Sequence, residues 1–158
     1  MEIQLPTYLP SENPRVPAAT VPFRHRVDLQ TRFADIDALG HVNNNVYFAF
    51  LDLGKMEYMK RIGGVGTDPT DVRAVIVHAG ADFYAPAFYD EPLAVFTAIT
   101  RVGQRSFTLE QRIVNTANGQ TKCIGTSILC GFDPATQQSA PLDPAMIAAA
   151  SDFEQRQL

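Results

Sequence analysis

Between residues 22 and 33 polar and apolar side chains alternate. Phe23, His25, Val27, Leu29, Thr31 and Phe33 fall on one face, and Arg24, Arg26, Asp28, Gln30 and Arg32 on the other. Period two predicts a half-buried strand. The period changes near residue 45. Residues 45–62 contain no proline, stop at Gly63-Gly64, and carry Val46, Tyr47, Phe48, Phe50, Leu51, Leu53, Met56, Tyr58, Met59 and Ile62. This predicts a long helix closed by a glycine in left-handed conformation, with Lys60 and Arg61 at the end where cations suit the dipole. Only Asp52, Lys55, Glu57, Lys60 and Arg61 oppose the apolar set. Such a helix is expected to be covered from more than one side, by a sheet that curls around it.

Residues 65–72 read as a loop, with Gly66, Asp68 and Pro69. Strand patterns follow at 73–84, 93–102, 105–115 and 120–132, separated by Pro86 and Asp90-Glu-Pro92, by Gly103-Gln104 and by the hairpin signal Asn118-Gly119. A short helix is predicted near 144–155, after a tail punctuated by Pro134, Pro141 and Pro144. One strand, one long helix, then four strands joined mainly by short turns define an α+β layer design. The expected fold is an antiparallel five- to six-stranded sheet wrapped around one long central helix. Its outer face and edges would need cover, so at least a dimer is expected. Residues 1–21, with Pro6, Pro10, Pro14 and Pro17, predict an extended or loosely ordered arm; residues 22–158 form a single domain.

Composition narrows the class. At 158 residues, with 46% apolar and 19% charged residues, the chain is an ordinary globular domain. A net charge of −4 and pI near 5.3 argue against a nucleic-acid partner. No apolar run approaches the ~20 residues of a membrane helix, and the Met1-Glu-Ile-Gln-Leu-Pro6 start lacks the basic and apolar regions of a secretory signal. Cys123 and Cys130 would lie roughly 23 Å apart along one strand at about 3.3 Å per residue, on opposite faces, and cannot pair. Reduced thiols and a cytoplasmic location are expected.

The candidate chemistry sits where the first strand meets the long helix, in Arg32-Phe-Ala-Asp-Ile-Asp-Ala-Leu-Gly-His-Val-Asn-Asn-Asn-Val-Tyr47. N–H groups at a helix start have no intrahelical partner and carry the positive dipole end, which suits anionic oxygens. Asp37 can serve there as an ionised carboxylate, or it can simply cap or make a turn. Asp35 is expected to face solvent or pair with a nearby cation. Gly40 supplies a backbone shape that side chains resist. His41 either orients the loop or touches a ligand. Asn43, Asn44 and Asn45 exceed what one cap needs, and Tyr47 is core by default. Other chemistries lack their signatures. There is no Gly-x-Ser-x-Gly elbow, no metal-ligand spacing among His25, His41 and His78, and Gly63-Gly-Val-Gly66 is neither a P-loop nor a dinucleotide fingerprint. No metal site is expected. Arg101 and Arg105, at strand ends, suit either solvent or a ligand's phosphates.

The run Asp35-Ile-Asp37-Ala-Leu-Gly40-His41-Val42-Asn43-Asn44 resembles the signature of hotdog-fold acyl-CoA thioesterases, in the branch related to 4-hydroxybenzoyl-CoA thioesterase. Asp82-Phe-Tyr84-Ala-Pro86, Asp90-Glu-Pro92 and Arg101-Val-Gly103-Gln-Arg-Ser106 follow in the family's order, so the resemblance covers about residues 22–132. It implies the hotdog fold, with active sites at the interface of a homodimer and tetramers common. It implies acyl-CoA as substrate and no cofactor beyond the coenzyme A carried by it. The catalytic carboxylate would be Asp37, as nucleophile or as general base. Backbone N–H near Asn44 would hold the thioester carbonyl, and Gly40, His41, Asn43, Asn44 and Tyr47 would be substrate-binding positions. Two rivals stay open: a hydratase or dehydratase of the same fold using Asp37 with His41, and a non-catalytic acyl-thioester-binding module.

Overall fold

The computed structural model describes residues 13–66, 68 and 70–158. Strand β1 (His25–Leu29) leads through a short 3₁₀ turn (Phe33–Asp35) to helix α1 (Asn44–Arg61). Strands β2 (Ala74–Phe83), β3 (Leu93–Val102), β4 (Ser106–Asn115) and β5 (Thr121–Asp133) follow, then the two-residue β6 (Gln138–Ser139) and helix α2 (Pro144–Glu154). The antiparallel sheet runs β1-β3-β4-β5-β2, with β6 added on β5. The expected α+β architecture, one long helix held by an antiparallel sheet, is the architecture observed.

The first strand is shorter than its alternation predicts. Phe23, His25, Leu29 and Thr31 are buried as expected, but Phe33 is 84% exposed. The Asp35 carboxylate accepts the Arg32 backbone N–H at 2.8 Å, winding Phe33 into the 3₁₀ turn and out of the period-two register. The expected arm is only partly described, residues 1–12 lying outside the described residues. Residues 17–21 lie on the sheet's outer face. There Ala19 and Val21 pack on Phe23, Ala94, Phe96, Ala98 and Val114, and the Arg112 guanidinium donates to the Pro17 carbonyl at 2.9 Å.

Helix α1 buries one stripe: Tyr47, Phe50, Leu51, Gly54, Lys55, Tyr58 and Met59. Their spacing of three and four is that of a helix seated on one surface. Lys55, read from sequence as polar-face, lies in this stripe; its stem is buried while its ammonium reaches the exposed Asp52 at 2.9 Å. Phe48, Leu53 and Met56 keep 38–46% of their surface within the single chain. The closest approach to the sheet is at Gly54, where a Cβ would stand 2.7 Å from a Val95 methyl and 3.0 Å from Gln111 Nε2. The buried Gln111 amide donates to the Leu51 carbonyl (2.8 Å) and to the Thr97 hydroxyl (3.1 Å), tying helix to sheet beside that contact. The C-terminus closes as expected: Gly63 has φ +73°, its N–H donates to Lys60 and that of Gly64 to Met59.

Two apolar clusters flank the Gly54 contact. One joins the start of α1 (Tyr47, Phe50, Leu51) to Leu93, Val95, Ile113 and Cys123. The other joins its end (Tyr58, Met59, Ile62) to Ile99, Phe107, Leu129 and Met146 of α2. At that end Glu154 accepts from the Tyr58 hydroxyl and from the Ile99 N–H (2.8 Å), while Arg156 donates to the Ile99 carbonyl. The His25 ring packs edge-on against Tyr58 and Phe153. Burial, with Arg61 adding to it against Glu57, pushes its pKa down to about 4. Both cysteines are free; Cys123 is fully buried, and burial with the nearby Asp82 pushes its thiol up to about 12.

Two outcomes follow. Gly54→Val gains about 0.5 kcal/mol at most from helix propensity but overpacks the Val95 contact by about 1–3 kcal/mol, so the urea midpoint should fall. His25 binds its proton in the unfolded chain near pH 6.5 but in the folded one only near pH 4. Stability should therefore decline as pH drops through that window, by up to about 3 kcal/mol at 1.4 kcal/mol per pH unit. Thermal melts from pH 7 to pH 4 should show the decline, and His25→Phe should flatten it.

Candidate active site

The joint between β1 and α1 is built by short-range hydrogen bonds. Asp35 is 2% exposed, and its carboxylate pairs with the Arg32 guanidinium at 3.0 Å. Burial opposes its ionisation, but the Arg32 side-chain and backbone hydrogen bonds prevail and hold its pKa below the usual carboxylate value. Of the two expectations for Asp35, the cation pair is the one realised. Its carbonyl accepts the Asn43 N–H at 2.8 Å, closing the joint into a loop. Inside that loop the Asp37 N–H donates to the His41 carbonyl and the Gly40 N–H to the Asp37 carbonyl, each at 3.0 Å. The half-buried Asp37 side chain accepts the Leu39 N–H at 2.8 Å. Gly40 takes φ +80°, the left-handed shape this tight turn requires.

Asn43 is the N-cap of α1, its side-chain oxygen accepting the Asn45 N–H at 2.9 Å, while its carbonyl takes the Val46 N–H. One of the three asparagines is thus spent on capping. The Asn44 N–H finds no acceptor among the described residues.

Beside this helix start is a cavity of about 290 Å³, lined by His41, Val42, Asn44, Tyr47, Phe83, Tyr84, Ala85 and Pro86. The structure therefore brings His41, Asn44 and Tyr47 together on one wall. Asp37, Gly40 and Asn43 are not lining residues; Asp37 is joined to the lining through its bond to the His41 carbonyl. Tyr47 is 2% exposed, with its ring edge-on to Phe83 at 5.1 Å. Burial, with Cys123 and Glu91 adding to it, pushes its hydroxyl up to about 12 against a backbone hydrogen bond at Ala87. A cleft of about 470 Å³ lies elsewhere, where Asp71, Asp133 and Asp143 outnumber Arg73. Arg73 is already paired with Asp71 and Asp143, so that cleft offers little to an anion.

The opposite wall was missed among the candidate residues. Phe83, Tyr84, Ala85 and Pro86 come from the end of β2 and the loop after it. That loop interlocks with the joint. The Val42 N–H donates to the Ala87 carbonyl (2.8 Å), the Asp90 N–H to the Thr31 hydroxyl (3.0 Å), and Phe88 stands edge-on to His41 at 5.7 Å. The signal lay in the Asp82-Phe-Tyr84-Ala-Pro86 stretch, which sequence reading used as a family mark and not as a wall. Among the described residues no group of three His, Cys, Asp or Glu side chains is placed to hold a metal, and no helix is long and apolar enough to cross a membrane.

An antiparallel sheet holding one long helix is the hotdog fold. Residues 31–150 match the thioesterase-like superfamily, and the chain belongs to that family. An acyl-CoA thioester hydrolase from Escherichia coli, YbgC, is 26% identical over 125 residues, 78% of this chain and 92% of that protein. A thioesterase from Thermus thermophilus, solved in complex with coenzyme A and Zn, superposes with a TM-score of 0.75 at 27% identity, covering 86% of this chain and 98% of that one. A 4-hydroxybenzoyl-CoA thioesterase shares the fold with a TM-score of 0.69 at 19% identity, over 80% of this chain and 97% of that one.

The cap can be checked directly. Asn43→Ala should cost about 1 kcal/mol in urea unfolding while Asn43→Asp, an equally good cap, costs a few tenths at most. Equal losses in both would remove the capping role.

Proposed function

We propose that the chain is an acyl-CoA thioesterase, hydrolysing an acyl-CoA to the free acid and coenzyme A at the cavity beside the start of α1. The observation that carries this reading is the Asn44 N–H, without an acceptor among the described residues at a cavity-lining position, next to the turn that holds Asp37. A thioester carbonyl placed there would accept that N–H, and the positive end of the helix dipole would stabilise the oxyanion as it develops. The similarity to the Escherichia coli hydrolase and to the coenzyme A-bound Thermus protein supports the substrate class.

Asp37 then acts in one of two ways. As nucleophile, its carboxylate oxygen bonds to the acyl carbon, the C–S bond breaks, coenzyme A leaves as thiolate, and water opens the mixed anhydride. As general base, it takes a proton from the attacking water, and collapse of the tetrahedral intermediate expels the thiolate, which picks up the proton. A thiolate leaves readily, so neither route calls for a strong acid or for a cofactor beyond the substrate's own coenzyme A. His41, Asn44 and Tyr47 contact the acyl-thioester portion in this reading, while Gly40 and Asn43 shape the turn and the helix start. The protein works as a homodimer or a tetramer. β2 is a sheet edge with Ile76 (48%) and Val77 (62%) exposed, so a second copy's edge can extend the sheet and cover the open side of α1. Two free thiols fit a cytoplasmic setting.

Asp37→Asn and Asp37→Ala should each lower coenzyme A thiol release from a panel of acetyl-, hexanoyl-, lauroyl- and benzoyl-CoA by about 10²–10⁴-fold, with folding unchanged by circular dichroism. Thiol release that survives both substitutions would remove Asp37 from the chemistry. Loss of enoyl absorbance from a 2-enoyl-CoA such as crotonyl-CoA, offered alongside the panel, without thiol release would replace hydrolysis with hydration.

A further inference from the structure

The cavity wall formed by Tyr84, Ala85 and Pro86 is held by two residues that do not line the cavity. Both N–H groups these three residues possess, those of Tyr84 and Ala85, donate to the Lys122 carbonyl at 2.9 and 3.3 Å. The Pro86 carbonyl accepts the Lys122 ammonium at 2.9 Å. The Tyr84 carbonyl accepts the Asn13 side-chain amide at 3.1 Å, across 71 positions of sequence.

Lys122 is an expensive choice for a mere spacer, since its side chain is 3% exposed and a buried charge must be paired. It is paired with Glu91 at 2.9 Å and also donates to Gln120 Oε1 at 2.7 Å. Glu91 in turn accepts the Phe88 N–H (3.2 Å) and the Asn115 amide (3.0 Å). The ion pair therefore fixes the loop at two places, at Pro86 on the cavity and at Phe88 against His41. Asn13 adds a third, and it comes from the N-terminal arm, which lies outside the residues 31–150 that match the family.

We propose that Lys122 and Asn13 are positioning residues for the substrate cavity, so that the arm is part of the functional site and not only a cover for the sheet's outer face. This rests on the hydrolase reading for its purpose but on backbone geometry for its mechanism. Loosening the wall should weaken the hold on the acyl-thioester more than the chemical step, because the wall faces α1 and neither residue is placed to touch the reacting carbon.

Two readouts test it, one of them independent of activity. In amide exchange by mass spectrometry, Asn13→Ala and the double variant Lys122→Met/Glu91→Gln, which leaves no unpaired carboxylate, should speed exchange in the peptide covering 84–91 while β3 and β4 stay protected. In thiol release, with whichever of acetyl-, hexanoyl-, lauroyl- or benzoyl-CoA the wild type turns over fastest, Asn13→Ala should raise KM about fivefold and the double variant about 10–100-fold, the range of a lost neutral or charged hydrogen bond. The change in kcat should stay within about threefold, and Lys122→Arg should recover part of the loss. Unchanged exchange at 84–91, exchange rising equally across the sheet, or faster local exchange with KM unmoved would each overturn the proposal. If the wild type releases no thiol from any of the four thioesters, the hydrolase reading fails, and the exchange arm alone still decides whether these residues hold the wall.

Discussion

Everything in this fold depends on how closely α1 can sit on the sheet. Helices and sheets ordinarily keep their distance by the thickness of their side chains. Here Gly54 removes that spacer where the Val95 methyls press upward, and Gln111 ties the Leu51 carbonyl down beside it. The helix is thereby pinned at its middle, with an apolar cluster on each side of the pin. Its N-terminus then falls next to the end of β2, so Asn44 and Tyr47 share one cavity with Phe83 and Pro86.

The second constraint is the interlock between two loops far apart in sequence. The β1–α1 joint is internally closed by Asp35 and Asn43, and the loop after β2 is closed onto Lys122. The contact between Val42 and Ala87 joins the two closed units, and ring pairs at His41–Phe88 and Phe33–Tyr89 reinforce it. The cavity lies between the two units, so its walls are set by these local hydrogen bonds and by the contact that joins them.

Local features were the ones legible from sequence. The order of strands and helix, the helix ends within a residue, the capping power of one asparagine and the left-handed glycines at Gly40 and Gly63 all follow from spacing and residue type. Phe33 failed because alternation carries no information about a carboxylate two residues later pulling the chain into a 3₁₀ turn. Lys55 failed because a long side chain can lie in a buried stripe and still deliver its charge to the rim at Asp52. β6 is too short to have a period at all. The cavity was half legible: His41, Asn44 and Tyr47 belong to one continuous motif, whereas Phe83 to Pro86 reach them only through pairing of β2 with β5 and the Lys122 anchor. Contacts of that kind join distant residues and leave no periodic trace.

The two cysteines differ in a way that bears on laboratory practice. Cys123 is sealed in the core with its thiol held protonated, while Cys130 is partly open. A disulfide-exchange dye in the cuvette would therefore see one slow endogenous sulfhydryl per native chain, and two once the chain melts. Dye uptake beyond one thiol per chain, in a blank without substrate, then counts unfolded molecules in the same sample used to follow coenzyme A.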